Sequence, residues 1–266
     1  VPPFLTQLSR ILQNSITLAN SQSIASIQEK SFRDYVTNVD FTVDKFLTQE
    51  LQKLTPNIKV LSEERVIEGA EETFWIIDPI DGTHNLLSGI PIVGISAALF
   101  EGHVLRASAV ADIHRAHVFS AQKEAGAFLN GHRLRVPNEP SSLVAVSTGA
   151  MDCLIESKEA YKALRSIGKL RNLGSQALHI CYVASGVFST AISLEAKFWD
   201  DAAASLIAEE AGASYQSFSG ITRRLILDSK LSTNCLRSIC AHPSTLKASQ
   251  QISMRLSWAE EELNGE

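Results

Sequence analysis

Apolar and polar positions fall into two textures along the chain. From residue 4 to about 28, apolar side chains stand at Leu5, Leu8, Ile11, Leu12, Ile16, Leu18, Ala19, Ile24 and Ile27, a mostly helical spacing that predicts a scaffold helix. A polar break, Gln28 to Asp34, follows. Thr37 or Asn38 is placed to cap a second helix over Val39 to Leu54, with Asp40 in its first turn, where the helix dipole favours an anion. After Pro56, Ile58 to Leu61 predicts a short strand that runs into Ser62-Glu63-Glu64-Arg65. Phe74 to Ile77 has the length of a buried strand; Pro79 cannot donate to a ladder and Gly82 punctuates the chain, so that strand is expected to stop near Asp78. Ile90 to Phe100, Val104 to Asp112 and Ala116 to Ala121 predict further strands, with turns at Glu101-Gly102 and Asn130-Gly131. Short strands in succession imply an antiparallel sheet through Asn138.

From about Ser141 strands and helices alternate. Leu143 to Ser147 predicts a strand, Glu156 to Ile167 a helix and Lys169 to Leu173 a strand. Gly174-Ser175 opens a helix through Ser185, and Val187 to Leu194 alternates again. Trp199-Asp200-Asp201 precedes an alanine-rich helix, Ala202 to Ala211, closed by Gly212. A strand near Leu225, another over Leu236 to Ala241 and a last helix from about Ser244 to Leu263, carrying Trp258 as packing or dimer surface, complete the pattern. This half reads as α/β layers. The expectation is an α+β half over residues 1–140 and an α/β half over 141–266, packed as one compact unit.

With 266 residues, 45% hydrophobic and 20% charged, the chain is long enough to bury a full core without staples. The net charge of −5 and pI near 5.8 leave no basic footprint for nucleic acid. Cys153, Cys181, Cys235 and Cys240 form no CxxC and no metal-ligand spacing, which fits a reducing compartment. Val1-Pro2-Pro3 introduces no charged region followed by an apolar one, and the longest apolar run of the first half, Val93 to Phe100, is too short to cross a bilayer. A soluble cytoplasmic protein with no membrane partner is expected.

Candidate chemistry comes from acids at the ends of elements: Asp40, Glu63, Asp78, Asp81 and Asp200. Any one alone reads best as a cap. Together they offer oxygen ligands to hard divalent cations beside a phosphate, and the stiff Asp78-Pro79-Ile80-Asp81-Gly82 turn presents two of them. Two such metals roughly 4 Å apart polarise a phosphate, activate a water and stabilise the leaving oxygen. The lack of histidine and cysteine ligands argues against zinc. His114 and His117, three apart, fall on opposite faces if their segment is a strand and read as a polar hairpin. Arg165, Lys169 and Arg171 read as a solvated face rather than a phosphate-steering patch, and Ser147-Thr148-Gly149 as a ligand-facing loop.

Asp78-Pro79-Ile80-Asp81-Gly82-Thr83, followed by Asn85, resembles the signature of the inositol monophosphatase family. Glu63-Glu64, Trp199-Asp200-x-Ala-Ala and Thr37-x-x-Asp40 match its other acidic motifs; Gly126-Ala127-x-x-Asn130-Gly131 and Gly174-Ser175 resemble further features. The resemblance implies a layered α-β-α-β-α sandwich, a homodimer, and a lithium-sensitive phosphomonoesterase. It further implies two or three magnesium ions, with manganese as an alternative. Glu63, Asp78 and the Ile80 carbonyl would bind a first metal, Asp78, Asp81 and Asp200 a second, and Glu63 with water a weaker third. Asp40 and Thr83 would orient and help deprotonate the attacking water, making Asp40, Thr83 and Glu63 the catalytic group. Gly82 and Thr83 amides would receive phosphate oxygens. In-line attack of a metal-activated water would need no phosphoenzyme.

The substrate implied is a small phosphorylated polyol, sugar or related metabolite, touching Asp81, Gly174, Ser175 and Ser193. Inositol-preferring members carry a glutamate seven residues before the tryptophan-paired aspartate; here Ser193 stands there and Glu195 two residues later, on the same face if the segment is a strand. The 3'-phosphoadenosine phosphatases tend to carry Lys-Glu after Asp-Gly-Thr, where this chain has His84-Asn85. Activities towards 3'-phosphoadenosine 5'-phosphate, histidinol phosphate and fructose 1,6-bisphosphate remain alternatives, with a non-catalytic regulatory binding protein as a remote one.

Overall fold

The computed structural model describes residues 1–32, 34–65, 72–102, 104–217 and 235–252. α1 (Pro3–Ser21) and α2 (Asn38–Leu54) lie on one face of a seven-stranded sheet. Its strands are β3 (Lys59–Ser62), β4 (Thr73–Asp81), β5 (Gly94–Glu101), β6 (Val104–Asp112), β7 (His117–Gln122), β8 (Gly126–Leu129) and β9 (His132–Leu134). They neighbour one another in chain order; only β3 with β4 is parallel. The expected antiparallel sheet is therefore present, and Asn130 and Gly131, both with positive φ, close its last hairpin.

A second sheet joins β11 (Lys169–Arg171), β10 (Leu143–Val146), β12 (Thr190–Ala196), β14 (Leu236–Ala241) and β13 (Ser214–Ser217) in that order, parallel on the β10 side and antiparallel around β14. Between the sheets run α6 (Gln176–Ala184) and α7 (Phe198–Ala211). Every residue of α6 is buried except Gln176, as expected for a helix covered on all sides. On α7, Ala202, Ala203, Ala204, Ala208 and Ala211 let both sheets approach closely. α4 (Thr148–Glu156) and α5 (Lys158–Ile167) cover the outer face of the second sheet. Three apolar cores, the central one packing α6 and α7 against both sheets, thus join five layers, the α-β-α-β-α sandwich that the resemblance implies. Among the described residues no helix is long and apolar enough to cross a membrane.

Four local expectations need correction. α1 ends at Ser21, and the supposed polar break forms a small hairpin of β1 (Ile27–Ser31) and β2 (Asp34–Thr37). β4 does not stop at Asp78 but continues to Asp81: the register with β5 slips between Asp78 and Asp81, and this irregularity accommodates the missing proline N–H. Thr148 and Gly149 open α4 rather than forming a loop, because the Ser147 hydroxyl accepts from the Ala150 amide and caps the helix. β13 was not expected at all. The strand near Leu225 and the Trp258 segment lie outside the described residues; helix is seen over residues 246–252.

Candidate active site

The Asp78–Thr83 segment is shaped from within and behind. The Ile80 amide donates to Asp78 Oδ1 at 3.0 Å. Gly82 then takes φ 101° and leads into α3 (Thr83–Ser88). A Cβ on Gly82 would lie 2.9 Å from the Gly174 carbonyl oxygen, and one on Gly174 (φ 75°) 2.8 Å from Asn85 Nδ2. Glycine is required at both positions by space as well as by backbone. Asn85 Nδ2 donates to the carbonyls of Ile92 (2.8 Å) and Leu173 (2.6 Å), tying the segment to the loop before α6.

Other acids arrive on helix starts. Thr37 caps α2: its hydroxyl accepts from the Val39 amide, and Asp40 Oδ2 accepts from the Thr37 amide at 2.9 Å. Asp40 Oδ1 lies 3.2 Å from the Thr83 hydroxyl, which is also 3.2 Å from the Ile80 carbonyl. Asp81 sits at the start of α6, where Oδ2 accepts from Ser175 Oγ (2.6 Å) and the Ala177 amide (2.7 Å), and Oδ1 from the Gln176 amide (3.2 Å). Asp200 Oδ2 accepts from the Lys197 amide at 2.7 Å at the start of α7. Glu63 follows β3. Glu63, Asp78, Ile80, Asp81, Gly82, Thr83 and Asp200 all line one cavity of about 220 Å³, with Asp40 behind Thr83.

Burial comes first among the causes that push the carboxyls of Asp78 and Asp200 well above the usual range. Repulsion from Glu63, Asp81 and Asp200 adds to it at Asp78, and from Asp81 and Glu63 at Asp200. Burial lifts Asp81 to about 6 against the pull of its hydrogen bonds from Ser175, Ala177 and Gln176. Asp40 is raised by burial too, opposed by Thr37 and Thr83. Lys30, on β1, answers part of this charge: its Nζ lies 2.8 Å from Glu63 Oε1 and 3.2 Å from Glu64 Oε1. Nothing in the local pattern around Lys30 signals that contact, because only the β1–β2 hairpin carries the side chain there. Among the described residues no three acids, histidines or cysteines are already arranged to hold a metal ion. The acids surround the cavity without closing on one point. An all-oxygen, mutually repelling set of this kind nevertheless fits a hard divalent cation, whose charge would relieve the repulsion.

A pocket of about 340 Å³ adjoins this cavity and shares Asp81, His84, Gly174 and Asp200 with it. Ser147, Thr148, Asn172, Ser175, Gln176, His179, Ser193, Glu195 and Ala196 form the rest of its wall. Ser193 is buried, and its hydroxyl accepts from the amides of Glu195 (3.4 Å) and Ala196 (3.2 Å). Asp201, beside the tryptophan-paired acid, is buried and accepts from Gln176 Nε2 at 2.9 Å and Tyr215 Oη at 2.7 Å. Ser147 and Thr148, expected to face a ligand, do line this pocket, whereas Asn172, Gln176 and His179 carry no local sequence signal of a site. They meet only where the segment after β11 and the start of α6 pack together. His114 is exposed in a turn, away from both cavities, and Arg165, Lys169 and Arg171 line a separate surface hollow with Tyr161.

An α-β-α-β-α sandwich with buried acids around one cavity beside a Gly-Thr turn is the arrangement of a phosphomonoesterase. The chain belongs to the inositol monophosphatase family, whose model matches residues 4–253. It is 32% identical over 209 residues to the Nus factor SuhB of Xylella fastidiosa, covering 76% of this chain and 75% of that one. It is 31% identical over 198 residues to the fructose-1,6-bisphosphatase/inositol-1-monophosphatase of Thermotoga maritima, covering 74% and 77%. Among solved structures, a Thermotoga maritima IMPase superposes with a TM-score of 0.79 at 24% identity, covering 97% of this chain and 98% of that one.

Proposed function

We propose that the protein is a magnesium-dependent phosphomonoesterase acting on a small phosphorylated polyol, sugar or related metabolite, as a cytoplasmic homodimer. The observation that carries this reading is the gathering of Glu63, Asp78, Asp81 and Asp200 around one cavity beside the Asp40–Thr83 pair. Glu63, Asp78, the Ile80 carbonyl, Asp81 and Asp200 would hold the metal. Bound there, magnesium supplies Lewis-acid polarisation of the phosphate and a more acidic water.

The rest of the chemistry belongs to the chain. The Thr83 hydroxyl has one proton and two acceptors in reach, Asp40 Oδ1 and the Ile80 carbonyl. Its lone pairs are left to take a hydrogen bond from the attacking water, which fixes the direction of attack, and Asp40 draws the threonine proton away. The amides of Gly82 and Thr83 open a helix, where the first N–H groups lack intrahelical partners and can receive phosphate oxygens. Asp81 and Asp200 face both cavities, so the scissile bond belongs at their junction and the leaving alcohol in the larger pocket. Catalysis then rests on positioning and charge compensation.

Asp78→Asn should lower kcat/KM for magnesium-dependent phosphate release by about a hundredfold or more, about 2.7 kcal/mol in barrier. In magnesium-free buffer the same variant should melt at or above the wild-type temperature, because it relieves repulsion among buried acids. Phosphate release from none of a broad panel of phosphomonoesters would sink the proposal. The Nus factor name of one relative favours a second reading, a regulatory binding protein. The presence of all five acids and Thr83 supports the catalytic one.

A further inference from the structure

The two cavities meet along a short seam, and four described residues line both: Asp81, His84, Gly174 and Asp200. Ester hydrolysis moves two protons at such a seam. The attacking water gives one up, and the departing alkoxide needs one. The Asp40–Thr83 pair stands on the water's side, with Thr83 in the smaller cavity. Of the four shared residues, Gly174 has no side chain. Asp81 and Asp200, with a metal bound, would be charged and have no proton to give. Among them only His84 can carry a proton and renew it near neutral pH.

Local structure sets the imidazole there. Gly82, with φ 101°, turns the chain into α3, and His84 is the second residue of that helix. Its ring meets Tyr35 of β2 edge to face, with centroids 5.2 Å apart and planes at 76°, so the hairpin braces its orientation. His84 is exposed, and solvent can return a proton that it has given away. The other titratable groups do not span the seam. Asp34, Tyr35, Glu63 and Asp78 line the smaller cavity alone, and Glu195 and His179 the larger alone. His179 accepts the Leu173 amide on Nε2, and burial lowers its pKa to about 4, so it stays neutral. Among the described residues no lysine or arginine lines either cavity.

We propose that His84 is a further catalytic residue, the general acid that protonates the leaving alcohol. The inference rests on the phosphomonoesterase reading and adds a proton donor to it. Water attacks phosphorus; its proton moves to the Thr83 hydroxyl as the threonine proton moves to Asp40. The bond from phosphorus to the ester oxygen breaks, and the electron pair stays on that oxygen. The oxygen takes the imidazolium proton of His84. Alcohol, phosphate, protonated Asp40 and neutral His84 result. Solvent then carries the proton from Asp40 back to His84, which closes the cycle.

The test uses the full chain with magnesium and compares leaving groups in single-turnover kinetics. The alkyl esters are inositol 1-phosphate and glycerol 2-phosphate, whose alkoxides need a proton. The aryl ester is p-nitrophenyl phosphate, whose phenolate leaves without one. In His84→Gln the rate on the better alkyl ester should fall about a hundredfold. The aryl ester should lose less than about threefold, and the melting temperature should not move. His84→Lys keeps a positive charge but holds its proton more tightly, so it should show the same selective loss. Equal losses on both ester types, or no loss on either, overturn the inference alone. An alkyl rate restored by the lysine also overturns it, because charge and not proton transfer would then be at work. Release by wild type from the aryl ester only has the same consequence. No release from any of the three by wild type overturns the phosphomonoesterase reading and this inference with it.

Discussion

Single residues at this site serve two purposes. Asp81 accepts the first amides of α6 while facing both cavities, and Asp200 accepts an amide at the start of α7 while facing the same space. Anchored carboxylates cannot swing away when they repel one another, so the repulsion persists, and a cation bound among them would relieve it. Thr83 and Asp40 are joined by one hydrogen bond across 43 residues of sequence. Thr83→Ala should lower kcat about a hundredfold or more, and Asp40→Asn by a similar amount. The double variant should lose little beyond either single one, because the two residues act as a unit. Losses that multiply in steady-state kinetics would show independent roles.

At the scale of elements, the site depends on where helices begin. α2, α3, α6 and α7 each bring a cap or first-turn residue to it: Asp40, Thr83, Ser175 and Asp200. The other end of α6 is pinned differently. Tyr182 Oη donates to Asp112 Oδ2 at 2.5 Å, and Arg115 reaches both groups from the turn after β6. Asp112 is fully buried, so Tyr182→Phe leaves its carboxylate short of a donor and should cost about 1–3 kcal/mol in urea unfolding. Turnover should stay within about twofold, since the cluster lies outside the cavity linings. A neutral effect on stability would mean that Arg115 alone satisfies Asp112.

For the whole molecule, the buried acids link proton uptake, metal and stability. The carboxyls of Asp78, Asp81 and Asp200 have raised pKa values, Asp81 at about 6. The metal-free native state therefore binds more protons than the unfolded chain above about pH 4, and its stability falls as pH rises through the raised values. Magnesium held by these carboxyls would require their charged forms and compete with those protons. The rise in melting temperature caused by magnesium should be small near pH 5.5 and grow towards about pH 8. His179, neutral with or without the metal, drops out of that difference. A rise in melting temperature independent of pH would detach the metal from these carboxyls.

Much was legible in sequence because it was local. The spacing of apolar residues in α1 and α2, the Asn130-Gly131 hairpin and the Gly212 stop of α7 rest on backbone and periodicity within a few residues. The acids stood out through their own turns and caps, and the order of their motifs pointed to the family. What sequence missed depended on neighbours far along the chain. β4 runs through Pro79 because β5 slips beside it, and β1 and β2 pair where only a polar break was visible. Lys30 reaches Glu63 across 33 residues, and Glu195 is the exposed position of β12 where β14 slips against it. The sequence by itself determined the periodic elements and the chemistry on offer. Tertiary structure decided which of those groups share a cavity and which are used up on one another, because side-chain hydrogen bonds and burial are settled only when distant segments pack.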